Sequence, residues 1–463
     1  MKTSRIPCFV VLDGHSHPLF EAAGAIQGIP SCEQTQFRCS TPEYGGAALC
    51  NLIDQPSRRC VSARDHWQAL SESDRFRVTS SCMSALDREE GARRMRTREI
   101  IDVLLLGPLP PGAGITTVMQ SLLSSDFGDG IRVSAIDTKS NRTQRFGGAW
   151  SPLSALSVVR CLVRFLWRGI FSRPAIIQIE SGAGTSFLKN SLFVRIANLL
   201  GIKSILSIHG AGFDEYYHSL PWRRQRYVRS VLMQCTRVRA LSRGWSDFLR
   251  DSINLPEEKV VVIPNAIHLQ EFRGERAPCT EDATTLIFVG SLGQRKGILD
   301  LIEAMSMVED QGVRLKIIGP DEGGYYEKAT QRASALGVSD KVDLLGEMSR
   351  EEVIKHLYAV DLFVLPTYKE NQPFSILEAM AAGLPIVSTT VAAIPEVVEE
   401  GVNGHLVSPG DPRALAQAIN RLASSPGTRE RMRQANQDKV RSEYSTSAQA
   451  KTFSVLYKEL AGP

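Results

Sequence analysis

The sequence predicts an α/β protein in which two doubly wound parallel sheets face each other across a cleft. From residue 101 onward, short apolar runs alternate with amphipathic stretches, which is typical of strands that are buried on both faces and connected by helices. The alternation stops over residues 264–284 and then resumes, as expected where a linker joins two domains. The chain has 463 residues, of which 43% are apolar, and this is enough to form two hydrophobic cores.

The apolar runs predict six strands before the linker and six after it. Because ligands of such sheets bind beyond the carboxyl ends of the strands, functional residues are expected in the loops that follow the strands. The first six strands are predicted at 101–106, 131–136, 175–179, 204–208, 237–241 and 260–263. The second six are predicted at 286–289, 315–318, 342–345, 362–365, 385–387 and 404–407.

The first 95 residues lack this pattern. They mix Gly, Pro, Ser, Cys and Arg without sustained periodicity, as is typical of segments outside a folded body. We predict that residues 1–95 are disordered. A second hypothesis is that they are an extension introduced by gene prediction, and that translation begins at Met95, just before the first predicted strand.

The charges are balanced overall but segregated along the chain. The 54 basic and 50 acidic side chains nearly cancel, leaving a net charge of +4. A dedicated nucleic-acid binder is expected to carry a larger positive charge, unless its charges are segregated. Residues 96–270 carry 22 basic and 12 acidic side chains, whereas residues 271–463 carry 21 and 27. The basic half is therefore expected to meet an anionic partner, either a phosphorylated ligand or a membrane surface. No nucleic-acid partner is predicted.

The protein is predicted to be cytoplasmic. No apolar run approaches the roughly 18 residues that a membrane-spanning helix requires. The nine cysteines include no Cys-x-x-Cys pair, which fits reduced thiols in a cytosol.

A glycine-rich turn follows the first predicted strand. Gly112 and Gly114 open a predicted helix, whose free N–H groups favour an anion. Neither of the common nucleotide motifs is complete, because Ala113 replaces the lysine of a phosphate loop and Thr117 replaces the third glycine of the dinucleotide fingerprint. Tight packing of the turn explains the two glycines equally well.

Polar residues follow two other predicted strands. His209 comes directly after the strand 204–208, at a sheet edge where ligands bind, although a single histidine in such a place is often structural. Arg295 and Lys296 follow the first strand of the second series, at the start of an amphipathic helix. They either neutralise a diphosphate or are solvated surface charges.

The strongest signal is a pair of glutamates after the strand 362–365. Glu370 lies in the loop, and Glu378 lies eight positions later, on the first turns of a helix predicted to begin near Gln372 or Pro373. The first backbone N–H groups of this helix form a site where phosphate oxygens are stabilised. Two carboxylates at such a place are explained by hydroxyl groups that bind them, and a sugar and a ribose supply such hydroxyls.

Together these motifs resemble family 4 of the retaining nucleotide-sugar glycosyltransferases, which have the GT-B fold. The resemblance spans about residues 98–460 and also rests on IPNAI at the linker and on IPEVVEEGVNGHLVSPGDPRALAQAI further along. It implies an N-terminal acceptor-binding Rossmann-like domain at 96–270 and a C-terminal nucleotide-sugar-binding Rossmann-like domain at 271–445. It also implies that a last helix, within residues 446–463, crosses back to the N-terminal domain.

The resemblance implies a role for each motif. Glu378 would hold the ribose of the donor, Glu370 would bind hydroxyls of the donor sugar, and Lys296 would bind the diphosphate. The family usually has an arginine at the position of Ser291. Either Arg295 supplies the missing charge, or this chain binds the diphosphate more weakly. The implied catalytic residues are His209, which would contact the donor sugar, together with Glu370 and Lys296. The implied donor-binding residues are Glu378, Arg295, the turn at Gly112 and Gly114, and Phe374, Ser375 and Ile376 through their backbone N–H groups.

The implied reaction moves a sugar of hexosyl type, with retention at the anomeric carbon, from a nucleotide diphosphate sugar to a hydroxyl group. The acceptor would be a saccharide or a lipid-linked molecule in cell-surface polysaccharide or glycolipid synthesis, and no cofactor is expected. The sequence contains no Asp-x-Asp, which fits a reaction without a metal ion, in which cations and a helix N-terminus stabilise the leaving group. Two alternatives stay open: another GT-B activity such as nucleotide-sugar epimerisation, and a carbohydrate-binding protein without enzymatic activity.

One helix of the basic half is a candidate membrane contact. Arg160, Arg164 and Arg168 recur at four-residue spacing, and apolar side chains cover much of the remaining surface. Either this helix lies on an anionic leaflet, or its apolar face packs on the sheet. The first alternative predicts a peripheral protein at the inner face of the plasma membrane. Four more arginines in PWRRQRYVRS at 221–230 either hold a phosphate-bearing acceptor or are solvated.

Overall fold

The computed structural model describes residues 100–462 apart from 111, 113, 140–151, 275–283 and 311. The predictions for residues 1–95, including a start at Met95, lie outside the described residues. The replacement at Ala113 lies outside them as well.

The first half of the described chain forms a six-stranded sheet with the order β2-β1-β3-β4-β5-β6. All five neighbouring pairs are parallel, so all six carboxyl ends lie at one edge. The strands are β1 Ile101–Gly107, β2 Ile131–Asp137, β3 Ile176–Ser181, β4 Lys203–Ile208, β5 Arg237–Ala240 and β6 Val260–Val262. The helices are α1 Ile115–Ser124, α2 Pro152–Trp167, α3 Thr185–Leu199, α4 Phe213–Ser219, α5 Trp222–Gln234 and α6 Arg243–Asp247. π-helical turns at Arg168–Ser172 and Phe248–Ser252 follow α2 and α6, and a 3-10 turn at Glu257–Lys259 precedes β6.

The second half forms another six-stranded parallel sheet, with the order β12-β11-β10-β7-β8-β9. The strands are β7 Thr285–Val289, β8 Arg314–Ile318, β9 Val342–Gly346, β10 Leu362–Leu365, β11 Ile386–Thr389 and β12 Gly404–Val407. The helices are α7 Ile298–Ser306, α8 Tyr325–Ala335, α9 Arg350–Tyr358, α10 Phe374–Ala381, α11 Ile394–Val397, α12 Pro412–Ala423, α13 Pro426–Glu443 and α14 Thr446–Ala461. The 3-10 turns are Leu269–Glu271, Gln294–Lys296 and Ser339–Lys341.

Helices cover both faces of the first sheet, because alternate residues of a strand point to opposite faces. In β1, Val103 and Leu105 share a core with residues of α1 and α14. Leu104 and Leu106 share the core on the other face with residues of α2, α3 and α5. This two-sided burial is what the near-continuous apolar runs predict.

The predicted fold class of two doubly wound parallel sheets is confirmed. Each of the twelve apolar runs forms a strand, and the ends differ by at most two residues from the predicted ones. The most consequential difference is in β3, which extends past residue 179 to Ser181 and therefore includes Glu180. The prediction missed this because Glu180 and Ser181 interrupt the apolar run.

The last helix, α14, packs on the first sheet although it follows the second one in the chain. Phe453 and Tyr457 of α14 are buried in the same core as Val103. The Tyr457 hydroxyl donates to Gln178 Oε1 of β3 at 2.6 Å. The C-terminal end of the chain therefore completes the core of the first sheet.

Helix α2 has one packed side and one exposed side. Cys161 and Phe165 are buried in the core, whereas Arg160 and Arg164 are exposed. Arg168, which follows them at the same spacing, is only partly exposed and begins the π-helical turn after α2. There it donates to Ser134 Oγ of β2 at 2.6 Å.

None of the helices in the described part of the chain is long and apolar enough to cross a membrane.

Candidate active site

The carboxyl ends of the two sheets lie against each other. Asn371, in the loop after β10, donates from Nδ2 to the backbone oxygen of Ile208 at the end of β4, at 3.1 Å. Lys369 of the same loop forms an ion pair with Glu215 of α4. The loops after β4 and β10 therefore border one cleft, which is the place where ligands of such sheets bind.

Glu370 is held by two cations at this cleft. Its Oε1 accepts hydrogen bonds from Lys296 Nζ and from Arg295 Nη1 at 3.3 Å. Glu370 and Lys296 are only 9% and 8% exposed, so their attraction is screened less by water than that of a surface pair. The structure thus brings together three of the predicted site residues.

The glycine after Lys296 explains how the cations reach Glu370. Gly297 has a φ of +70°, and a Cβ at this position would lie 1.9 Å from the backbone oxygen of Pro366, which follows β10. Only glycine therefore allows the turn Gln294–Lys296 to lie against the end of β10. This close approach places Lys296 beside Glu370.

Glu378 is paired with Arg350, the first residue of α9. Arg350 Nη1 donates to Glu378 Oε1 at 2.6 Å, and Arg350 also forms an ion pair with Glu271. Burial raises the pKa of the Glu378 carboxyl, and the Arg350 guanidinium opposes this rise. The predicted ribose contact is therefore a buried carboxyl whose charged form depends on a neighbouring cation.

Helix α10 begins between Glu370 and Glu378. Its first residue is Phe374, and Pro373 is the N-cap rather than an early helical position, so the predicted start near Gln372 or Pro373 is one or two residues early. Pro373 provides no side-chain hydrogen bond to the helix. The first N–H groups of a helix have no hydrogen-bond partner within the helix. In α10 these are the N–H groups of Phe374, Ser375 and Ile376, and Pro373 does not accept from them. An anion at this point is stabilised by these donors and by the helix dipole.

His209 follows β4 as predicted, but its ring is turned toward the sheet. Its Nε2 forms a hydrogen bond with Glu180 Oε2, and its side chain is 6% exposed. Burial lowers the pKa of His209, and Glu180 opposes this. Burial acts to raise the pKa of Glu180, but His209 and Arg239 outweigh it and lower that pKa to about 2. The lowered pKa of His209 favours the neutral ring, and an ionised Glu180 can only accept in this hydrogen bond.

The turn before α1 requires its two glycines. Gly112 and Gly114 have φ angles of +152° and +67°, which other residues rarely adopt. Gly114 is also the N-cap of α1. Backbone conformation thus explains both glycines, and their contact with donor phosphates stays a prediction.

Ser291, which stands where the resembling family usually has an arginine, is tied to another loop. Its hydroxyl donates to Glu322 Oε2 at 2.8 Å. The Arg295 guanidinium instead points to the loop after β10, where Nη1 also donates to the Lys369 backbone oxygen at 3.0 Å. Arg295 therefore lies beside the predicted diphosphate contact Lys296.

Two residues of the site escaped the sequence analysis. Glu180 is the one charged residue of the strand Ile176–Ser181, and a charge in a strand that is buried throughout is a signal that could have identified it. Arg350 gives no comparable signal, because only the folded chain brings the start of α9 to Glu378.

Among the residues that the structure describes, no group of three or more His, Cys, Asp or Glu side chains is placed to hold a metal ion. The prediction of a reaction without a metal therefore continues to rest on the sequence.

The fold has counterparts among solved structures. Sucrose-phosphate synthase from Thermosynechococcus elongatus has a TM-score of 0.63 at 17% identity, covering 78% of this chain and 99% of that chain. Anabaena Alr3699/HepE, solved in complex with UDP, has a TM-score of 0.59 at 17% identity, covering 77% of this chain and 99% of that chain. Two facing doubly wound sheets with the site at their carboxyl ends define the GT-B class.

The sequence families assign both halves of the chain. The family described as "Glycosyl transferase 4-like domain" matches residues 102–266. The family described as "Glycosyl transferases group 1" matches residues 273–439. The second half of the chain thus matches the group 1 glycosyltransferases, and the first half matches a glycosyl transferase 4-like domain.

Named relatives are glycosyltransferases as well. The amylovoran biosynthesis glycosyltransferase AmsK of Erwinia amylovora is 31% identical over 239 residues, which are 50% of this chain and 57% of AmsK. The alpha-D-kanosaminyltransferase of Streptomyces kanamyceticus is 26% identical over 335 residues, which are 68% of this chain and 83% of that enzyme. The match to AmsK thus spans little more than half of that relative's length.

Proposed function

We propose that this protein is a retaining glycosyltransferase that moves a hexosyl group from a nucleotide diphosphate sugar to a hydroxyl group of a saccharide or lipid-linked acceptor. The observation that carries the proposal is the cluster of Lys296, Arg295 and Glu370 beside the N-terminus of α10. It combines cations and N–H donors for a diphosphate with a carboxylate for sugar hydroxyls. The AmsK relative is named for polysaccharide biosynthesis, which supports a role in making a cell-surface polysaccharide or glycolipid.

In the proposed reaction, the bond between the anomeric carbon and the diphosphate oxygen breaks while the acceptor oxygen bonds to the same face of the sugar. The proton of the acceptor hydroxyl passes to the departing phosphate oxygen. Lys296, Arg295 and the first N–H groups of α10 stabilise the negative charge that develops on the diphosphate. Without a donor, the same two cations pair with Glu370. We propose that no metal ion or cofactor takes part.

The donor contacts follow from the same arrangement. Glu378 accepts from the ribose hydroxyls, Glu370 accepts from hydroxyls of the sugar, and His209 contacts the sugar from the opposite side of the cleft. The turn at Gly112 and Gly114 approaches the phosphates. Glycoside hydrolysis fits less well, because Glu370 and Glu378 are both in one loop-to-helix stretch, whereas a hydrolase places its two carboxyls on opposing sides of the sugar.

A thermal-shift panel with UDP-, GDP- and ADP-sugars tests the donor site. A ligand at a hundred times its dissociation constant adds about 2.7 kcal/mol to the free energy of unfolding. We expect one nucleotide to raise Tm in the full chain and in Glu258→Ala, which changes an exposed glutamate. The shift should disappear in Glu378→Ala. The absence of a shift with all three nucleotides would contradict the proposed donor site.

The product distinguishes the proposed reaction from its alternatives. With the donor that the panel identifies, we expect a new glycoside whose anomeric configuration, measured by NMR, is that of the donor, and equal rates with and without EDTA. An epimerised nucleotide sugar without a glycoside would indicate the epimerase alternative. Binding without turnover over a broad set of saccharide acceptors would indicate a carbohydrate-binding protein.

A membrane surface is the proposed location of the acceptor. α2 and the turn after it expose large apolar side chains: Val163 is 59%, Trp167 is 63% and Phe171 is 67% exposed. The rings of Trp167 and Phe171 contact each other at 4.2 Å between centroids. The exposed Arg160 and Arg164 flank this apolar surface. Its charge and its apolar groups are complementary to an anionic bilayer, into which such a surface inserts to the level of the headgroups.

Vesicle sedimentation with the full chain tests this location. We expect binding to vesicles that contain phosphatidylglycerol, weaker binding at high salt, and no binding to phosphatidylcholine alone. The double variant Trp167→Ala, Phe171→Ala should weaken binding at least about tenfold, since each ring contributes about 1.5–3 kcal/mol when it leaves water. Val455→Ala, an exposed residue of α14, is the matched control. Equal binding of the double variant and the control, or no binding to anionic vesicles, would contradict a membrane surface.

A further inference from the structure

A buried polar network lies behind His209. Glu180 is 1% exposed, and its Oε1 accepts from Gln178 Nε2 at 2.6 Å and from Ser207 Oγ at 3.1 Å. Its Oε2 forms the hydrogen bond with His209 Nε2 and lies 3.7 Å from Arg239 Nη1. Neighbouring strands of the first sheet and the loop after β4 thus converge on one carboxylate.

The charge of this carboxylate is balanced from the far side. Arg239 is fully buried and donates from Nε and Nη2 to the backbone oxygens of Ile263 and Pro264. Its Nη1 has no hydrogen-bond partner among the described residues, and the nearest opposite charge is Glu180. A buried ion pair of this kind keeps both groups ionised.

Helix α14 closes the network. Burial raises the pKa of Tyr457, so its hydroxyl keeps its proton and donates to Gln178 Oε1. Gln178 Oε1 is thereby occupied, and its Nε2 is left to donate to Glu180. The direction of every hydrogen bond around Glu180 is therefore fixed, and the carboxylate only accepts.

We propose that Glu180 is a positioning residue that holds His209 in the tautomer with the proton on Nε2 and presents Nδ1 to a hydroxyl group of the donor sugar. An ionised carboxylate cannot donate, so the ring nitrogen that faces it must carry the proton. Nδ1 has no hydrogen-bond partner in the described part of the chain, and its lone pair is available to a ligand. This inference rests on the proposed function only for the identity of the ligand.

The alternative is that Glu180 does nothing but neutralise Arg239. The geometry disfavours this, because Glu180 Oε2 is in hydrogen-bond contact with His209 whereas Arg239 is 3.7 Å away. The two roles of Glu180, neutralising Arg239 and positioning His209, also predict different experimental results. Neutralising Arg239 requires a charge alone, whereas positioning requires an acceptor at Nε2.

Nitrogen NMR of the ligand-free full chain tests the tautomer without any assay of sugar transfer. The chain has eight histidines, and the signals of His209 are those lost in His209→Gln. We expect protonated Nε2 and unprotonated Nδ1 in the wild-type chain and in Ser207→Ala, which removes a different hydrogen bond to Glu180. Glu180→Gln can donate its amide to Nε2, so the proton should move to Nδ1. Protonated Nδ1 in the wild-type chain, or the same tautomer in Glu180→Gln, would overturn the proposal.

A kinetic cycle tests whether Glu180 acts through His209. We expect Glu180→Gln to lower kcat by about tenfold or more with little change in the KM of the donor, and to cause no further loss in the His209→Gln background. Multiplicative losses in the double variant would show a role independent of His209 and overturn the proposal. Glu180→Asp, which keeps the charge for Arg239 but withdraws the acceptor, serves if Glu180→Gln does not fold. If His209 has the expected tautomer but no sugar is transferred from any donor, the proposed function is contradicted. The proposal that Glu180 positions the His209 ring is then still supported.

Discussion

At the scale of single residues, the site is built from carboxylates that are paired with cations. Lys296 and Arg295 pair with Glu370, and Arg350 pairs with Glu378 and with Glu271. A buried carboxylate without a partner is costly to ionise. Both glutamates therefore lie within hydrogen-bond distance of a cation before any ligand arrives.

Arg350 makes this argument testable. We predict that Arg350→Met weakens binding of the nucleotide selected by the thermal-shift panel about tenfold and makes this binding depend on pH. Without the guanidinium, burial raises the pKa of Glu378 unopposed. The protonated fraction then grows as pH falls, and a protonated carboxyl accepts fewer hydrogen bonds. Calorimetric titration with the nucleotide at a series of pH values measures the effect.

The wild-type chain and Arg332→Met are the controls for this titration. Arg332 lies on α8 and pairs with Glu303, so its loss removes an arginine without touching Glu378. Affinity that falls by the same factor at every pH would contradict the prediction.

At the scale of elements, the start of α9 shows which features of the structure can be predicted from the sequence and which cannot. Ser349 and Glu352 form a capping box at this start, and the spacing Ser-x-x-Glu is readable in the sequence. The cap fixes Arg350 as the first helical residue. The partner of Arg350 is not readable, because α9 and α10 are separated by β10 and meet only in the folded chain.

In the other elements too, some features could be predicted from the sequence and others could not. The strands were predictable because burial on both faces requires apolar residues at consecutive positions. The two carboxylates eight positions apart mark a candidate site in the sequence, because the helix that begins between them starts with unsatisfied N–H groups. The ring orientation of His209 was not predictable, since it depends on Glu180 from a strand 29 positions earlier.

At the scale of the whole molecule, the first sheet depends on the end of the chain. Phe453 of α14 is fully buried, stacks on Tyr457 with ring centroids 5.5 Å apart, and lies against the guanidinium of Arg239 at 5.1 Å. The helix therefore supplies both apolar contacts to the core and one face of the polar network around Glu180. The stability of the first sheet and the geometry of the cleft are linked through α14.

The variant Phe453→Ala tests whether the packing of α14 stabilises the first sheet. Truncating a fully buried phenylalanine costs about 3–5 kcal/mol, because apolar contacts are lost and a cavity remains. We predict that the first unfolding transition in urea moves to a lower concentration by the corresponding amount. Val455→Ala, two positions along the same helix and 69% exposed, should change stability by no more than about 0.5 kcal/mol. Equal effects of the two variants would mean that α14 is dispensable for the first sheet. A large effect of Phe453→Ala alone would show that this sheet is stable only when the last helix of the chain has packed on it.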